Sequence, residues 1–578
     1  MGTTALVTLI CLAIVALVSV AIGSLGVRMA RTTSDFLVAS RTVGPTANAA
    51  AISGEYLSAA SFLGVAGLIL KDGPDALWYP VGFTAGYLGL LLFVAAPLRR
   101  SGAYTVPDFA DVRLRSVPLR RVCTLVVIVI GWLYVLPQLQ GAGLTVATVT
   151  SLPGWSGVVS AAIVVIASVI FGGMRSITFV QAFQYWLKLT ALAVPVIFLV
   201  LHFAGDRRSF DRPAPPEFPA DTTVSVQTDV TLEVSQPVSF SARGVLDGRQ
   251  ENGLVRWQQG TTHTVQQGAS LTFSAGTSVP VVAGTPQTDA SWLTPLSGKR
   301  EYQLLEIYSL ILATFLGTLG LPHVLARFYT NSDGRAARRT TVVVLAMLGA
   351  FYLMPTLLGA LSRLYVPQLL VSGQTDAAIL RLPAAALGEN WLATALGGLV
   401  AAGAWAAFLS TSSGLVVSVA GVLFTDVLKG RLRSFTLATL IAGTVPMVLA
   451  LFASRLDLAQ TVVLAFAVAA STFCPLLVLG IWWRGLTDRG AIAGVAVGGA
   501  LSAVSVMLSL FDVGATGWVS ALLIRPAAIS APAAFLTMIV VSKLTRKRVL
   551  SDVDHVLLRL HAPERLGLSQ DRLPDTAG

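Results

Sequence analysis

The chain has 578 residues, of which 54% are hydrophobic and only 12% are charged. Soluble domains average about 25% charged residues, so this composition excludes an ordinary soluble protein and indicates a chain that crosses a membrane many times. The net charge of +11 does not indicate a nucleic-acid partner, because the basic residues cluster in alternate loops between apolar segments.

Thirteen apolar segments are candidate membrane spans and predict an all-α polytopic membrane protein. They lie near residues 4–26, 45–70, 76–98, 122–150, 157–173, 176–203, 302–326, 341–364, 391–425, 434–453, 460–483, 491–511 and 526–543. Basic residues are concentrated in alternate loops, namely 28–41, 99–121, 327–339, 429–433 and 543–548. This asymmetry predicts a multi-pass protein of the cell (inner) membrane with its N-terminus outside and its C-terminus in the cytoplasm.

The polar segment 204–300 interrupts the apolar pattern and falls outside the membrane in this orientation. Alternation of apolar and polar residues at 223–227, 230–234 and 264–273 predicts short strands joined by Gly and Pro turns. We therefore expect an extracytoplasmic β-rich insert, whose role and partner stay open. Its many Ser, Thr and Gln residues are also compatible with a disordered loop.

Two apolar segments contain residues that an intact membrane helix does not need. The stretch 53–64 places a carboxylate, hydroxyls and glycines inside the second span, and 317–323 interrupts the seventh span with glycines and a proline. An unwound membrane helix frees carbonyls for a cation and helix ends for a charged solute. Interruptions at corresponding positions of two halves predict the binding site of a secondary transporter.

Three polar side chains inside spans are candidates for this site. Glu55 lies in the first interruption, where it either contributes to coupling, gating or solute contact or only fixes a kink. Lys188 lies halfway along its span and is either a counter-charge for an anion or carboxylate or a side chain that snorkels to water. Gln138, next to a proline, offers an amide that can line a path.

Four consecutive hydroxyl residues occupy 410–413 inside the ninth span. Such residues often only bond to helix carbonyls or join helices, but adjacent hydroxyls also suit sodium, a hard cation that takes oxygen ligands. The sequence shows no nucleophile triad, no phosphate-binding loop and no other metal site, so nothing indicates an enzyme or an organic cofactor.

Several motifs resemble one family. They are Tyr56–Gly64 (YLSAASFLG), Phe171–Met174 (FGGM) with the following Val180-Gln181, Gly320–Phe328 (GLPHVLARF) and Asp426. On these residues the membrane part resembles the sodium:solute symporter family, and within it the cation–acetate or monocarboxylate branch. The resemblance implies a leucine-transporter-type fold with two inverted five-helix repeats.

The resemblance also divides the chain. Its parts are the first helix and cytoplasmic loop (1–44), the first inverted repeat (45–203), the insert (204–300), the second inverted repeat (301–483), the last two spans (484–543) and a cytoplasmic tail (544–578).

Site residues follow from the same resemblance. The family's sodium site would use backbone carbonyls and two hydroxyls, here those of Gly54, Leu57, Ala407, Ser410 and Thr411. The solute would lie against the first interruption, beside Tyr56, Ser58, Ala59 and Ser61, with Gln138 nearby.

The sequence thus predicts a symporter that couples sodium influx to uptake of acetate, propionate or pyruvate by alternating access. Its partners would be that solute, sodium as coupling ion and the lipid bilayer. The alternatives are a proton-coupled carrier with Glu55 as the proton site, a sodium symporter for another solute such as an amino acid, and a membrane-anchored receptor. Deletion of about residues 211–295 is expected to leave transport intact in a symporter and to abolish the function of a receptor.

Overall fold

The computed structural model describes residues 2–27, 44–150, 152–206, 208–210, 213–428, 432–452, 457–510, 517–563 and 566. The predicted cytoplasmic loop after the first span and the end of the predicted tail therefore lie outside the described residues, as do residues 429–431 of the basic loop 429–433.

The described chain before the insert is helical. Its helices are α1 (Thr3–Val27), α2 (Pro45–Tyr56), α3 (Val65–Asp72), α4 (Trp78–Gly89), α5 (Ala95–Arg100), α6 (Val106–Leu114), α7 (Val117–Val149) and α8 (Gly154–Gly205). Short π-helical turns, Ala60–Gly64 and Leu90–Val94, and a 3₁₀ turn, Gly73–Leu77, join some of them.

The described chain after the sheet is helical as well. Its helices are α9 (Asp289–Leu293), α10 (Gln303–Gly320), α11 (Pro322–Phe328), α12 (Gly334–Tyr365), α13 (Leu369–Ser372), α14 (Ala378–Leu387), α15 (Trp391–Val422), α16 (Leu432–Phe452), α17 (Leu458–Ser471), α18 (Phe473–Trp482), α19 (Asp488–Leu510), α20 (Gly517–Ile524), α21 (Ala527–Leu544) and α22 (Val553–His561).

Within the described residues, twelve helical stretches are long and apolar enough to cross a membrane, against thirteen predicted. The count is lower by one because the second predicted span is broken after Tyr56 and its second part is continuous with the third predicted span. The first part, α2, ends at Tyr56, and the helical stretch that follows runs from Ala60 through the third predicted span to Arg100. The spans predicted at 157–173 and 176–203 are joined in the single helical stretch α8.

The insert contains one antiparallel sheet, and strands occupy the segments where alternation predicts them. The strands are β1 (Thr222–Ser225), β2 (Val230–Glu233), β3 (Val238–Leu246), β4 (Arg249–Trp257), β5 (Thr262–Val265), β6 (Ser270–Phe273) and β7 (Val281–Val282). They are hydrogen-bonded in the order β1-β6-β3-β5-β2-β7, and β4 pairs with β3. Aromatic rings fill the interior of the sheet, with Phe273 stacked on Phe218 at 4.5 Å and against Phe240 at 4.8 Å between ring centroids.

The insert and the membrane part share the hydrophobic core of the sheet. Leu70, Val366 and Leu370 are buried against the apolar face of the sheet. The segment after the sheet is fixed as well, because the Trp292 indole donates to the Ile69 carbonyl at 2.8 Å. The sheet is therefore a docked part of the fold rather than a separate appended domain.

A buried ion pair adds to this docking. Arg363 Nε lies 3.1 Å from Asp289 Oδ1, and both side chains are buried. Removing one partner of a buried pair leaves an uncompensated charge and costs about 3–5 kcal/mol.

Deletion of residues 211–295 is accordingly expected to lower the melting temperature and abolish transport, even in a symporter, because it exposes the shared core and leaves Arg363 unpaired. The sequence alone led to the opposite expectation, that a symporter would keep its transport after this deletion. Asp289→Ala should reproduce part of the loss, whereas Asp221→Ala, at an exposed position of the same insert, should not. A deleted protein with wild-type melting temperature and uptake would contradict the docking.

Candidate functional site

The first predicted interruption is a true break in the helix. Leu57 leaves the helical conformation (φ −74°, ψ 86°), and helical structure resumes at Ala60. The backbone N–H of Ala59 is satisfied by the Gln138 side chain of α7, which accepts at 2.8 Å. The second predicted interruption is also present, because α10 ends at Gly320 and Leu321 is extended before α11 begins.

The break exposes carbonyls to α15, as the predicted sodium ligands require. Ser410 Oγ lies 2.7 Å from the Gly54 carbonyl and 3.1 Å from the Ala407 carbonyl. We call the three oxygens Gly54 O, Leu57 O and Ser410 Oγ the cation cage. Each of these residues is buried.

Lys188 of α8 enters this cage. Its Nζ donates to the Leu57 carbonyl at 2.8 Å, to Ser410 Oγ at 2.8 Å and to the Gly54 carbonyl. The side chain is fully buried, so it does not snorkel to water. The sequence left Lys188 as either a counter-charge or a snorkelling side chain and located no partner for it, because the contacting residues lie far away along the chain.

Thr411, the second predicted hydroxyl ligand, lies beside the cage. Its hydroxyl donates to the Glu55 carbonyl at 2.6 Å, so α15 holds two consecutive residues of α2 through two consecutive hydroxyls. The predicted sodium ligands are therefore brought together, with Thr411 turned toward a neighbouring carbonyl.

The Glu55 carboxylate does not face the cage but forms a buried ion pair. Arg327 Nε lies 2.6 Å from Glu55 Oε2, and the exposed fractions of the two side chains are 1% and 2%. The distribution of basic residues predicts Arg327 in a cytoplasmic loop; this prediction is wrong, because α11 carries the residue into the core. The Glu55 carboxylate, the proton site of the proton-coupled alternative, is thus held by Arg327.

Arg327 connects the break to α8. Its Nη1 donates to Thr178 Oγ1 at 2.9 Å and its Nη2 to Gln181 Oε1. Gln181 Nε2 in turn donates to the Ser410 carbonyl at 2.8 Å. The guanidinium thus links α2, α8 and α15 through a continuous buried network.

Aromatic side chains surround the other side of the break. The Tyr56 hydroxyl lies 2.9 Å from Thr318 Oγ1, and its ring meets that of Tyr87 edge-on at 4.7 Å. The rings of Tyr134 and His323 are 5.2 Å apart. The Phe466 ring lies 6.1 Å from Tyr56 and 5.8 Å from Tyr134, so it joins the two pairs.

Four buried polar atoms in this region have no hydrogen-bond partner among the described residues: Ser58 Oγ, the Tyr87 hydroxyl and both ring nitrogens of His323. An unpaired buried polar group costs about 1–3 kcal/mol. Their concentration at one break indicates a site that a polar ligand completes. Of these residues the sequence predicts Ser58 as a solute contact but neither Tyr87 nor His323, because aromatic side chains in an apolar span resemble core residues.

Ser61 is the remaining predicted solute contact with a side-chain hydroxyl, and that group is already paired. Its Oγ lies 2.9 Å from the Tyr352 hydroxyl of α12. Ala59 contributes only its backbone and methyl group. Of the predicted solute residues, Ser58 is therefore the one whose side chain lacks a partner in the described structure.

A cavity of about 700 Å³ lies between the insert and the membrane helices. At its edge Lys71 Nζ forms an ion pair with Asp457 at 2.8 Å. Burial, and next the nearby Asp457 carboxylate, raise the pKa of Asp376 to about 7. Residues from both parts line it, including Gln140, Trp155, Thr228 and Gln374.

Comparison with known proteins identifies the family. The sodium:solute symporter family matches residues 36–241 and 274–498. The chain belongs to the sodium:solute symporter family. It is 31% identical over 497 residues to an uncharacterized symporter, YwcA, of Bacillus subtilis, with 83% of this chain and 82% of the relative covered. It is 29% identical over 507 residues to a monocarboxylic acid transporter of Corynebacterium glutamicum, with 84% and 80% covered.

Two solved structures share the fold of this symporter-family chain. One is a Na⁺-coupled sialic acid symporter in a substrate-bound outward-open state, with a TM-score of 0.58, 13% identity and 93% and 97% of the two chains covered. The other is Mhp1, a nucleobase-cation-symport-1 family transporter in a closed conformation, with a TM-score of 0.51, 13% identity and 92% and 99% covered.

Proposed function

We propose that this family member is a secondary active symporter that carries a short monocarboxylate, such as acetate, propionate or pyruvate, together with a cation by alternating access. The observation that supports the solute class best is the group of unpartnered donors at the break of α2. The relative named as a monocarboxylic acid transporter favours the same class. We place the protein in the cell membrane with the insert outside, as the distribution of basic loops predicts.

A small carboxylate fits this group chemically. Each carboxylate oxygen accepts more than one hydrogen bond, and Ser58, Tyr87 and His323 offer hydroxyl or imidazole donors. The rings of Tyr56 and Phe466, 6.1 Å apart between centroids, are apolar groups beside these donors that a short alkyl chain would contact. An amino acid would bring an ammonium group, and no carboxylate among the described residues at this break lacks a partner, since Glu55 is bound to Arg327.

The coupling cation has two candidates. Membership of the family and the Na⁺-coupled structural neighbour favour sodium. The position of Lys188 in the cation cage favours the proton instead, because one positive charge already contacts all three cage oxygens.

The test of the solute class is uptake of labelled pyruvate into proteoliposomes under an inward sodium gradient and, separately, an inward proton gradient. Pyruvate is preferable to acetate because acetic acid crosses lipid bilayers unaided. Competition by unlabelled acetate and propionate, but not by alanine or a dicarboxylate, is the expected result. Uptake that only an amino acid suppresses would contradict the proposal.

Tyr87→Phe is expected to weaken apparent pyruvate affinity roughly ten- to hundredfold, because a hydrogen bond to a charged group contributes about 1.5–3 kcal/mol. The melting temperature should stay unchanged, since the hydroxyl has no partner among the described residues and the ring still packs on Tyr56. Tyr308→Phe is the matched control, because that tyrosine of α10 is 63% exposed. Equal affinities in both variants would remove Tyr87 from the solute site.

A further inference from the structure

The cation cage of this chain already contains the amino group of Lys188. Lys188 Nζ contacts Gly54 O, Leu57 O and Ser410 Oγ, three of the five atoms that the family resemblance assigns to sodium. No water separates the ammonium from these oxygens, because the contacts are direct hydrogen bonds.

The hydrogen-bond pattern fits the charged form of the lysine, because its three contacts are oxygens that can each accept a hydrogen bond. Two of the contacts are carbonyl oxygens, which only accept. The Ser410 hydroxyl donates to the Gly54 carbonyl at 2.7 Å, so it accepts from Lys188. An ammonium has three N–H donors and no acceptor, and here each donor has one oxygen.

A sodium ion and this ammonium cannot occupy the cage together. They would share the same three oxygens at contact distance, and like charges repel strongly in a buried environment of low dielectric constant. The Glu55 carboxylate cannot offset the added charge, because it is bound to Arg327.

The charge balance of the buried cluster leads to the same conclusion. With Lys188 as an ammonium, Arg327 positive and Glu55 negative, the break of α2 carries one net positive charge. A monocarboxylate bound there would bring this sum to zero. Sodium together with the monocarboxylate would leave a positive charge in the membrane interior, where an uncompensated charge is costly.

We propose that Lys188 is the resident cation of this site: its ammonium takes the place of sodium, closes the cage to it and supplies the positive charge that the carboxylate solute needs. This inference rests on the proposed monocarboxylate function for the role of the charge. The exclusion of sodium from the cage does not depend on the identity of the solute.

The test is sodium binding to the purified full-length protein without solute. The melting temperature is measured in NaCl and in KCl at equal concentration, because an ion that binds only the folded state raises it. The wild type is expected to show no sodium-specific shift. Lys188→Ala should gain one, with an apparent sodium affinity at least about tenfold above that of the wild type, and adding Ser410→Ala should remove it again.

Gln184→Ala is the matched control, since Gln184 is buried one turn away on α8 and bonds Ser19 instead of the cage; it should behave as the wild type. A wild-type sodium shift that Ser410→Ala abolishes would overturn the proposal, and so would a folded Lys188→Ala variant with no sodium shift. If Lys188→Ala does not fold, the wild type and Ser410→Ala decide the question. Failure of pyruvate uptake would contradict the proposed function and leave the sodium result standing.

Discussion

Arg327→Ala is expected to abolish transport and to lower the melting temperature more than any other single side-chain truncation near the site. The guanidinium is buried and bonds Glu55, Thr178 and Gln181. Its removal leaves the Glu55 carboxylate charged and unpaired in the core, and breaking such a pair costs about 3–5 kcal/mol. The network that aligns α2 with α8 and α15 is lost at the same time.

Three further variants distinguish the effect of the Arg327 charge from the effect of the hydrogen-bond geometry of its guanidinium. Arg327→Lys keeps the charge but cannot reproduce the fork of donors, so it should recover part of the stability and little transport. Arg327→Met combined with Glu55→Gln removes both charges and should recover stability without transport. Arg338→Ala, at an exposed position of α12, should change neither. Wild-type uptake in Arg327→Ala would show that the ion pair is dispensable.

Gly54→Ala is expected to reduce transport at least a hundredfold. A Cβ at this position would lie 2.2 Å from the Gln181 carbonyl oxygen, so the backbones of α2 and α8 would have to separate. Overpacking of this kind costs about 1–3 kcal/mol and sometimes more. The separation would also move the Gly54 carbonyl away from Lys188 and Ser410, which are the contacts that define the cage.

Gly349→Ala is the matched control for this substitution. Gly349 lies in α12, and an added Cβ would meet no atom within 4 Å. Alanine is the better helix former by about 1 kcal/mol, so this variant should be as stable as the wild type or more stable. The two glycines are compared by melting temperature and pyruvate uptake, and equal behaviour would contradict the close approach of α2 and α8.

Sequence alone predicted the elements that depend on local composition. The break after Tyr56 follows from polar and small residues inside an apolar segment, and the hydroxyls Ser410 and Thr411 stand out for the same reason. Alternation predicted segments that are strands in the structure. The inverted repeats and the membrane orientation are compatible with the fold and stay predictions.

Contacts between distant segments were not predictable in this way. Arg327 closes an apolar segment, so hydropathy assigns it to a loop, and only the packing of α11 shows that it meets Glu55. Lys188 is separated from Leu57 and Ser410 by 131 and 222 positions. Tyr87 and His323 differ from core residues only by polar atoms that lack partners, a property that is visible in three dimensions alone.

The most direct test of the account is exchange of labelled pyruvate across proteoliposomes with equal pyruvate inside and outside, measured in sodium buffer and in sodium-free potassium buffer. Exchange needs the solute site and the cation cage but no ion gradient. The account predicts equal rates in both buffers for the wild type, because Lys188 already fills the cage. Exchange that requires sodium and is lost in Ser410→Ala would contradict it.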